Sequence, residues 1–388
     1  MKIAFLTSEY PHPKANFAAG IGTSIMNLAK GLQQLGHEIT VVIYGQDQDE
    51  TFTDSGIAFY KVKNLKFKGL SRYLTQKKIQ RLLNTLVCEK KIDLVEVADW
   101  TGISDRLRLN CPVVIKLHGS DTYFCHLDRR PVKYLNYSRE KKALQRADAH
   151  ASVSKYVAEV TSKLFQLKNT FTIIPNGIDL EQFNNNIASL SSDETTLLYF
   201  GTLIRKKGLL ELPFIFNEVH RQYPRAKLML IGRDASDIVT GNSSTWQMMQ
   251  SLFDADALAN VNYLGSVPYD QIKGHIANAT VCVFPTFAEA LPVSWIEAMA
   301  MQKAIVASNI GWAPEIIDDG VNGYVVHPKG HAEFAAKIVA LLDNPALRNQ
   351  MGQNARDKVI QQFSIAVIAR KNEAFYDAVL AKFKTSKP

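Results

Sequence analysis

Apolar residues fall along this chain in two alternating rhythms. Short runs such as KIAFLT (2–7) and EITVVIY (38–44) are almost continuously apolar, the pattern of parallel strands buried on both faces. Between them Ile25, Leu28, Leu32 and Leu35 recur every three or four residues, a helix that Gly36 stops. Further strands are expected at 93–98, 112–118, 149–154 and 171–175, with helices near 72–90, 137–147 and 155–166. The rhythm breaks at NNNIASLSSDE (184–194), which is polar, without periodicity, and reads as a linker. It then restarts with strands at 196–201, 227–232, 260–265, 280–285, 303–308 and 323–328, and helical patterns at 345–362 and 366–384 close the chain. Two successive βαβα series predict an α/β protein of two doubly wound parallel sheets, each covered by helices. Such sheets take ligands at the carboxyl ends of their strands, so two facing sheets would bind in the cleft between them.

Composition narrows this picture. The chain has 388 residues, 46% apolar and 21% charged, as a folded protein of about two domains should. No stretch approaches the roughly 18–20 apolar residues of a membrane span. The first residues read directly as a strand, with no secretory pattern, and Cys88, Cys111, Cys125 and Cys282 are scattered without a CxxC. A cytoplasmic, reducing location is expected, without zinc site or disulfide scaffold. Net charge is +8, unevenly spread: residues 1–180 hold 26 Lys and Arg against 17 Asp and Glu, the remainder 19 against 20. The first half should therefore meet an anionic partner.

Three segments carry candidate chemistry. In PTFAEALPVSWIEAMA (285–300), Pro292 suits a first helical position, placing Glu289 before a helix and Glu297 in its second turn. The N–H groups near Leu291, Pro292, Val293 and Ser294 would face an anion, and the two carboxylates could hold a polyol and a ribose diol. The same acids also suit a solvated helix start. In YFGTLIRKKGLLEL (199–212) a strand ends at Gly201, and Arg205, Lys206 and Lys207 precede Gly208, which should open a helix. These cations could hold a diphosphate, or simply be solvated; no P-loop is present. PNGID (175–179) reads as a tight turn.

With AAGIGTS (18–24), LHGSD (117–121), ADAHASVS (147–154) and GWAPEIIDDGVNGYVV (311–326), these segments in this order resemble the retaining glycosyltransferases of family 4. The resemblance covers nearly the whole chain. It implies the GT-B fold: a Rossmann-like acceptor domain (1–183, joined by a C-terminal helix at 366–388 that crosses back to it) and a Rossmann-like donor domain (184–365), facing a cleft. It implies a hexosyl transfer from a nucleotide sugar, UDP ahead of GDP, to a glycan or lipid-linked acceptor in surface or exopolysaccharide assembly. No metal or cofactor is expected. By resemblance Glu297 takes the ribose diol, Glu289 the sugar hydroxyls and Lys207 the diphosphate, with Arg205 beside it. His118 lies at the reacting carbon, and Gly20 and Gly22 let a loop approach the diphosphate. His118, Glu289 and Lys207 form the expected catalytic set. Thr202 stands where the family often has arginine.

Other features are read as follows. DQD (47–49) looks like a metal-binding DxD but sits in an acidic, solvated run, and DAD (254–256) is no stronger. The glycines at 20 and 22 lack the third glycine of a dinucleotide fingerprint. The cluster KVKNLKFK (61–68) with the basic residues after it fits either a solvated face or an anionic lipid surface, so peripheral membrane contact is one expectation. No nucleic-acid module is present. An epimerase of the same fold and a non-catalytic nucleotide-sugar-binding subunit stay open beside the transferase.

Overall fold

The computed structural model describes residues 1–16, 18–184 and 195–386. The expected linker therefore lies, except for Asn184, outside the described residues. The chain forms two units, Met1–Gly177 with Ser364–Pro388, and Ile178–Phe363. The sequence boundary at 183 falls six residues late. Residues after Gly177 go with the second unit because Ile178 N–H donates to the Phe363 carbonyl and Arg356 to that of Phe183.

The first unit is built on eight strands: β1 (Lys2–Thr7), β2 (Glu38–Gln46), β3 (Glu50–Asp54), β4 (Ile57–Lys63), β5 (Leu94–Ala98), β6 (Val113–Leu117), β7 (Ala149–Ser152) and β8 (Thr172–Ile173). Their order is β3-β4-β2-β1-β5-β6-β7-β8, parallel except for the β3–β4 hairpin. Side chains alternate across β1 as a doubly wound sheet requires. Ile3 and Phe5 join the core beneath the helices Gly20–Gln34 and Ile365–Ser386, whereas Ala4 and Leu6 join the one beneath helix Ser71–Cys88. Gly31 permits the first pair of helices to touch: a Cβ there would lie 2.9 Å from the Ile365 carbonyl oxygen. Across the same sheet Tyr376 donates to Glu96 at 2.6 Å, deep in the core.

The second unit carries β9 (Thr196–Phe200), β10 (Lys227–Ile231), β11 (Val261–Tyr263), β12 (Val281–Phe284), β13 (Ile305–Ser308) and β14 (Tyr324–Val326), all parallel, in the order β11-β10-β9-β12-β13-β14. This is the doubly wound order whose direction of winding reverses between β9 and β12. The two loops that leave these strands open apart there, which makes a crevice at their carboxyl ends.

Three local expectations change. Gly20 and Gly22 lie in the first turn of helix Gly20–Gln34, not in a loop before it. Pro292 is the N-cap of helix Val293–Ala300, not its first residue. Gly208 closes a 3-10 turn, Arg205–Lys207, in the left-handed conformation (φ 74°), and the next helix starts only at Leu212. The turn comes first because the chain must pass against β12's exit: a Cβ on Gly208 would overlap the Pro285 carbonyl.

Candidate functional site

The second sheet's switch point gathers most of the residues singled out in the sequence. The Lys206 carbonyl accepts the N–H groups of Phe287 (2.8 Å) and Ala288 (3.1 Å), which ties the basic turn after β9 to the loop after β12. This clasp brings Lys207 onto Glu289 as an ion pair, both side chains keeping some solvent access. Leu291 and Pro292 are buried under the start of the helix, and Val293 is half-buried. Neither Pro292 nor the first turn supplies an acid, so the positive end of the helix dipole is not neutralised from within the helix.

Glu297 is buried, and burial pushes its carboxyl up to about 7, against the lowering effects of Tyr269 and Lys207. The Tyr269 phenol donates to its Oε1 at 2.6 Å. That phenol is itself pushed far above its ordinary value, by burial first and Glu297 second. Arg205 faces differently from the expectation that it joins Lys207. Its Nε and Nη2 both donate to Asp237, each at 2.8 Å, and Asp237 also accepts from Thr240. Two of its three nitrogens are thus committed to anchoring the loop after β10.

In the first unit, His118 follows β6 and is buried beside Lys116. Burial, reinforced by that cation, pushes its imidazole down to about 3, so it is neutral at physiological pH. Its backbone N–H donates to Asp99 Oδ1 at 2.8 Å. Asp99, at the end of β5, is pushed up to about 7, by burial first. Glu140 accepts the N–H groups of Asp121 (3.0 Å) and Thr122 (3.1 Å) and so caps the helix Asp121–Leu127. Asp121 itself accepts from Asn136 at 2.8 Å. Gly20 has open space around it, but Gly22 is pressed against the chain's own backbone, 3.0 Å from Tyr10 Cα. The Gly22 N–H already donates to Glu9 Oε1 at 2.8 Å, and the Glu9 carboxylate also takes N–H groups of Ile21 and Ala19. The DQD segment is tied to neighbouring lysines: Asp49 pairs with Lys78 and accepts the Lys63 N–H. Among the described residues no group of three or more His, Cys, Asp or Glu comes together as a metal would need.

Residues 18–182 match the profile of Glycosyltransferase Family 4, and residues 181–358 that of Glycosyl transferases group 1. The chain belongs to glycosyltransferase family 4. A glycosyltransferase of unassigned specificity from Methanocaldococcus jannaschii is 25% identical, over 97% of this chain and 98% of its own. Alpha-monoglucosyldiacylglycerol synthase of Acholeplasma laidlawii is 22% identical over 92% and 93% of the two chains. Sucrose-phosphate synthase from Thermosynechococcus elongatus superposes with a TM-score of 0.79 at 20% identity, over 98% of this chain and all of that one. HepE from Anabaena, solved in complex with UDP, superposes with a TM-score of 0.73 at 18% identity, over 97% and 100%. The fold is GT-B, and this family 4 glycosyltransferase transfers a sugar from a nucleotide sugar.

Three partners of its candidate site were not legible in the sequence. Tyr269 lies 28 positions from Glu297, and Asp237 lies 32 from Arg205. Asp99 meets His118 only because β5 and β6 are neighbours in the sheet. A lone Tyr or Asp in an unremarkable segment gives no signal of its own. The signal for Asp99 would have been its place just past a strand next to the switch point.

Proposed function

We propose that the enzyme moves a hexose, with retention of configuration and without a metal, from a nucleoside diphosphate sugar to a hydroxyl of a glycan or lipid-linked acceptor. UDP is favoured over GDP as the nucleotide, and the setting is cytoplasmic surface or exopolysaccharide assembly, with peripheral membrane contact through the basic first unit. The observation that carries this reading is the clasp at the second switch point, which puts Lys207 against Glu289 one turn ahead of Glu297. Breaking the anomeric bond leaves negative charge on the departing diphosphate. Lys207 and the start of helix Val293–Ala300 stabilise that charge where it develops. Glu289 orients sugar hydroxyls while holding the ammonium in place. Glu297, once ionised, accepts two hydrogen bonds from the ribose diol. Neutral His118 contributes a hydrogen bond without adding charge near the reacting carbon. In a retaining transfer the acceptor attacks on the face the diphosphate leaves, and the leaving phosphate takes its proton, so no protein nucleophile is assigned.

Thermal unfolding with UDP, GDP, ADP and CMP, each in EDTA, tests the donor assignment. A nucleotide at 100 times its Kd adds about 2.7 kcal/mol. A shift with one nucleotide that Glu297→Ala removes supports the reading, whereas no shift with any nucleotide at millimolar concentration refutes it. Nucleotide released only when an acceptor is present separates a transferase from an epimerase. Turnover that Lys207→Ala leaves untouched would favour a mere binding subunit.

A further inference from the structure

The first unit carries a surface that the sugar transfer does not use. Between Asp54 and Glu89 the chain has eight Lys and Arg and no Asp or Glu. In the middle of this stretch, residues 63–71 are all exposed, and three of them are large and apolar: Leu65, Phe67 (59% exposed) and Leu70 (49% exposed). Lys66 and Lys68 alternate with them, and among the described residues neither is in an ion pair.

This segment is built, not loose. Ser71 Oγ both accepts the Phe67 N–H (2.8 Å) and donates to the Phe67 carbonyl (2.7 Å). Leu70 N–H closes on the same carbonyl at 3.0 Å, Gly69 takes the left-handed conformation (φ 77°), and Leu65 N–H donates to Thr75 Oγ1 at 2.9 Å. The turn thus holds its apolar side chains in water at the tip of helix Ser71–Cys88. The ordering entropy of a binding segment is already spent before any partner arrives.

The surface extends in two directions. Along the helix, a concavity of about 570 Å³ has an apolar side of Leu65, Tyr73 and Leu74 and a basic side that includes Lys77 and Arg81. Across the tip, Arg72 donates to the Thr101 and Gly102 carbonyls, which places the half-exposed Trp100 beside it. Helix Tyr134–Arg146 packs on that same turn and begins with exposed Tyr134 and Leu135. Cations answer an anionic surface, but they do not explain Phe67, Leu70 and Leu65 held outward. Those need an apolar phase directly below the charges, and Tyr and Trp rings suit the boundary between the two.

We propose that this face docks on a lipid bilayer rich in anionic headgroups, with Leu65, Phe67 and Leu70 inserted below the phosphates and the flanking Lys and Arg at their level. Flotation of the full chain with vesicles tests it, using phosphatidylcholine alone and phosphatidylcholine with phosphatidylglycerol in equal parts. Binding is expected to the anionic vesicles and to fall as salt rises. The pair Phe67→Ser and Leu70→Ser should weaken it at least roughly tenfold, and Lys66→Gln with Lys68→Gln by a similar factor. Emission from Phe67→Trp should shift to the blue with anionic vesicles. All these residues are exposed, so melting and nucleotide-induced shifts stay as in the wild type. A failed donor assignment would therefore leave this result intact, and the reverse. Absence of binding to anionic vesicles at low salt overturns the proposal. So does binding that Phe67→Ser with Leu70→Ser leaves unchanged, or that heparin matches with no change in Phe67→Trp emission; both mark a site for soluble polyanions instead.

Discussion

At the end of β1, Glu9 folds back onto the start of the helix that follows, while at the end of β12, Glu289 meets a lysine from another loop. The two sheets share a winding scheme, and both place acids at the carboxyl ends of central strands. The first spends them on its own backbone: Glu9 on helix Gly20–Gln34, Glu140 on helix Asp121–Leu127. Internal anions thereby fill the sites that helix N-termini offer. The second unit leaves the start of helix Val293–Ala300 without an acid in its first turn and balances its carboxylates with Lys207 and the Tyr269 phenol. Acids spent on backbone should matter for stability, and acids balanced by side chains should matter for turnover.

The sharpest way to break this contrast is Lys207→Ala. Removing one preorganised cation from developing phosphate charge should cost turnover about 100- to 1,000-fold. Because both side chains keep solvent access, the folded state should lose less than about 2 kcal/mol. Steady-state kinetics beside urea unfolding reads both numbers, and a loss of activity that merely tracks unfolding would erase the distinction. Glu140→Ala should behave in the opposite sense. It strands two backbone N–H groups and the Thr122 hydroxyl in a buried place, at about 2–3 kcal/mol in urea unfolding. Nucleotide-induced melting shifts, which report on the second unit, should survive it. Their disappearance would mean that the two sheets are not independent in the way their acids suggest.

This division was only half visible in the sequence. Twelve strands were legible because buried parallel strands are continuous apolar runs, and the two that were missed explain why. In β3, ETFTD shows only Phe52 as a large apolar residue, and in β4, IAFYKVK ends in the lysines that read as part of a basic cluster. Both belong to the antiparallel edge hairpin, where one-sided burial weakens the pattern. Lys207, Glu289 and Glu297 were legible because they sit at strand exits and a helix start, positions that punctuation marks. Their partners were not. Whether Arg205 reaches a phosphate or Asp237, and whether Glu297 stands alone or under a tyrosine, depends on which loops the strand order makes neighbours.

The Tyr269–Glu297 pair sharpens the comparison through pH. Glu297 titrates near 7, and the ribose diol needs the ionised form to accept both its hydrogen bonds. Nucleotide affinity should therefore be level above pH 8 and fall by up to about tenfold per unit below 7. Glu297→Gln should bind more weakly and lose that dependence. Calorimetric titration across this range checks it, and an affinity flat from pH 8 to 6 would show that Glu297 is already ionised or does not touch the nucleotide.

The smallest effect comes from the first unit and concerns stability alone. Asp99 has one oxygen on the His118 N–H and the other buried without a partner, so its charged form is the costly one. Its carboxyl is raised from the ordinary 3.8 to about 7 in the folded chain. A raised acid contributes stability that is complete below its unfolded value and is lost as pH climbs through the folded one. The fold should thus weaken between pH 6 and 8, by about 1 kcal/mol per unit near the middle. Glu297 adds a share of the same sign, so the two are separated by substitution. Asp99→Asn keeps an oxygen for the His118 N–H and removes the charge. It should leave stability at pH 6 nearly as it was and raise it at pH 8, flattening the first unit's share of the slope. Were Asp99→Asn to lower stability equally at both pH values, the carboxylate would be doing more for the β5–β6 exit than accepting one hydrogen bond. The first sheet's acids would then be as tightly partnered as those of the second.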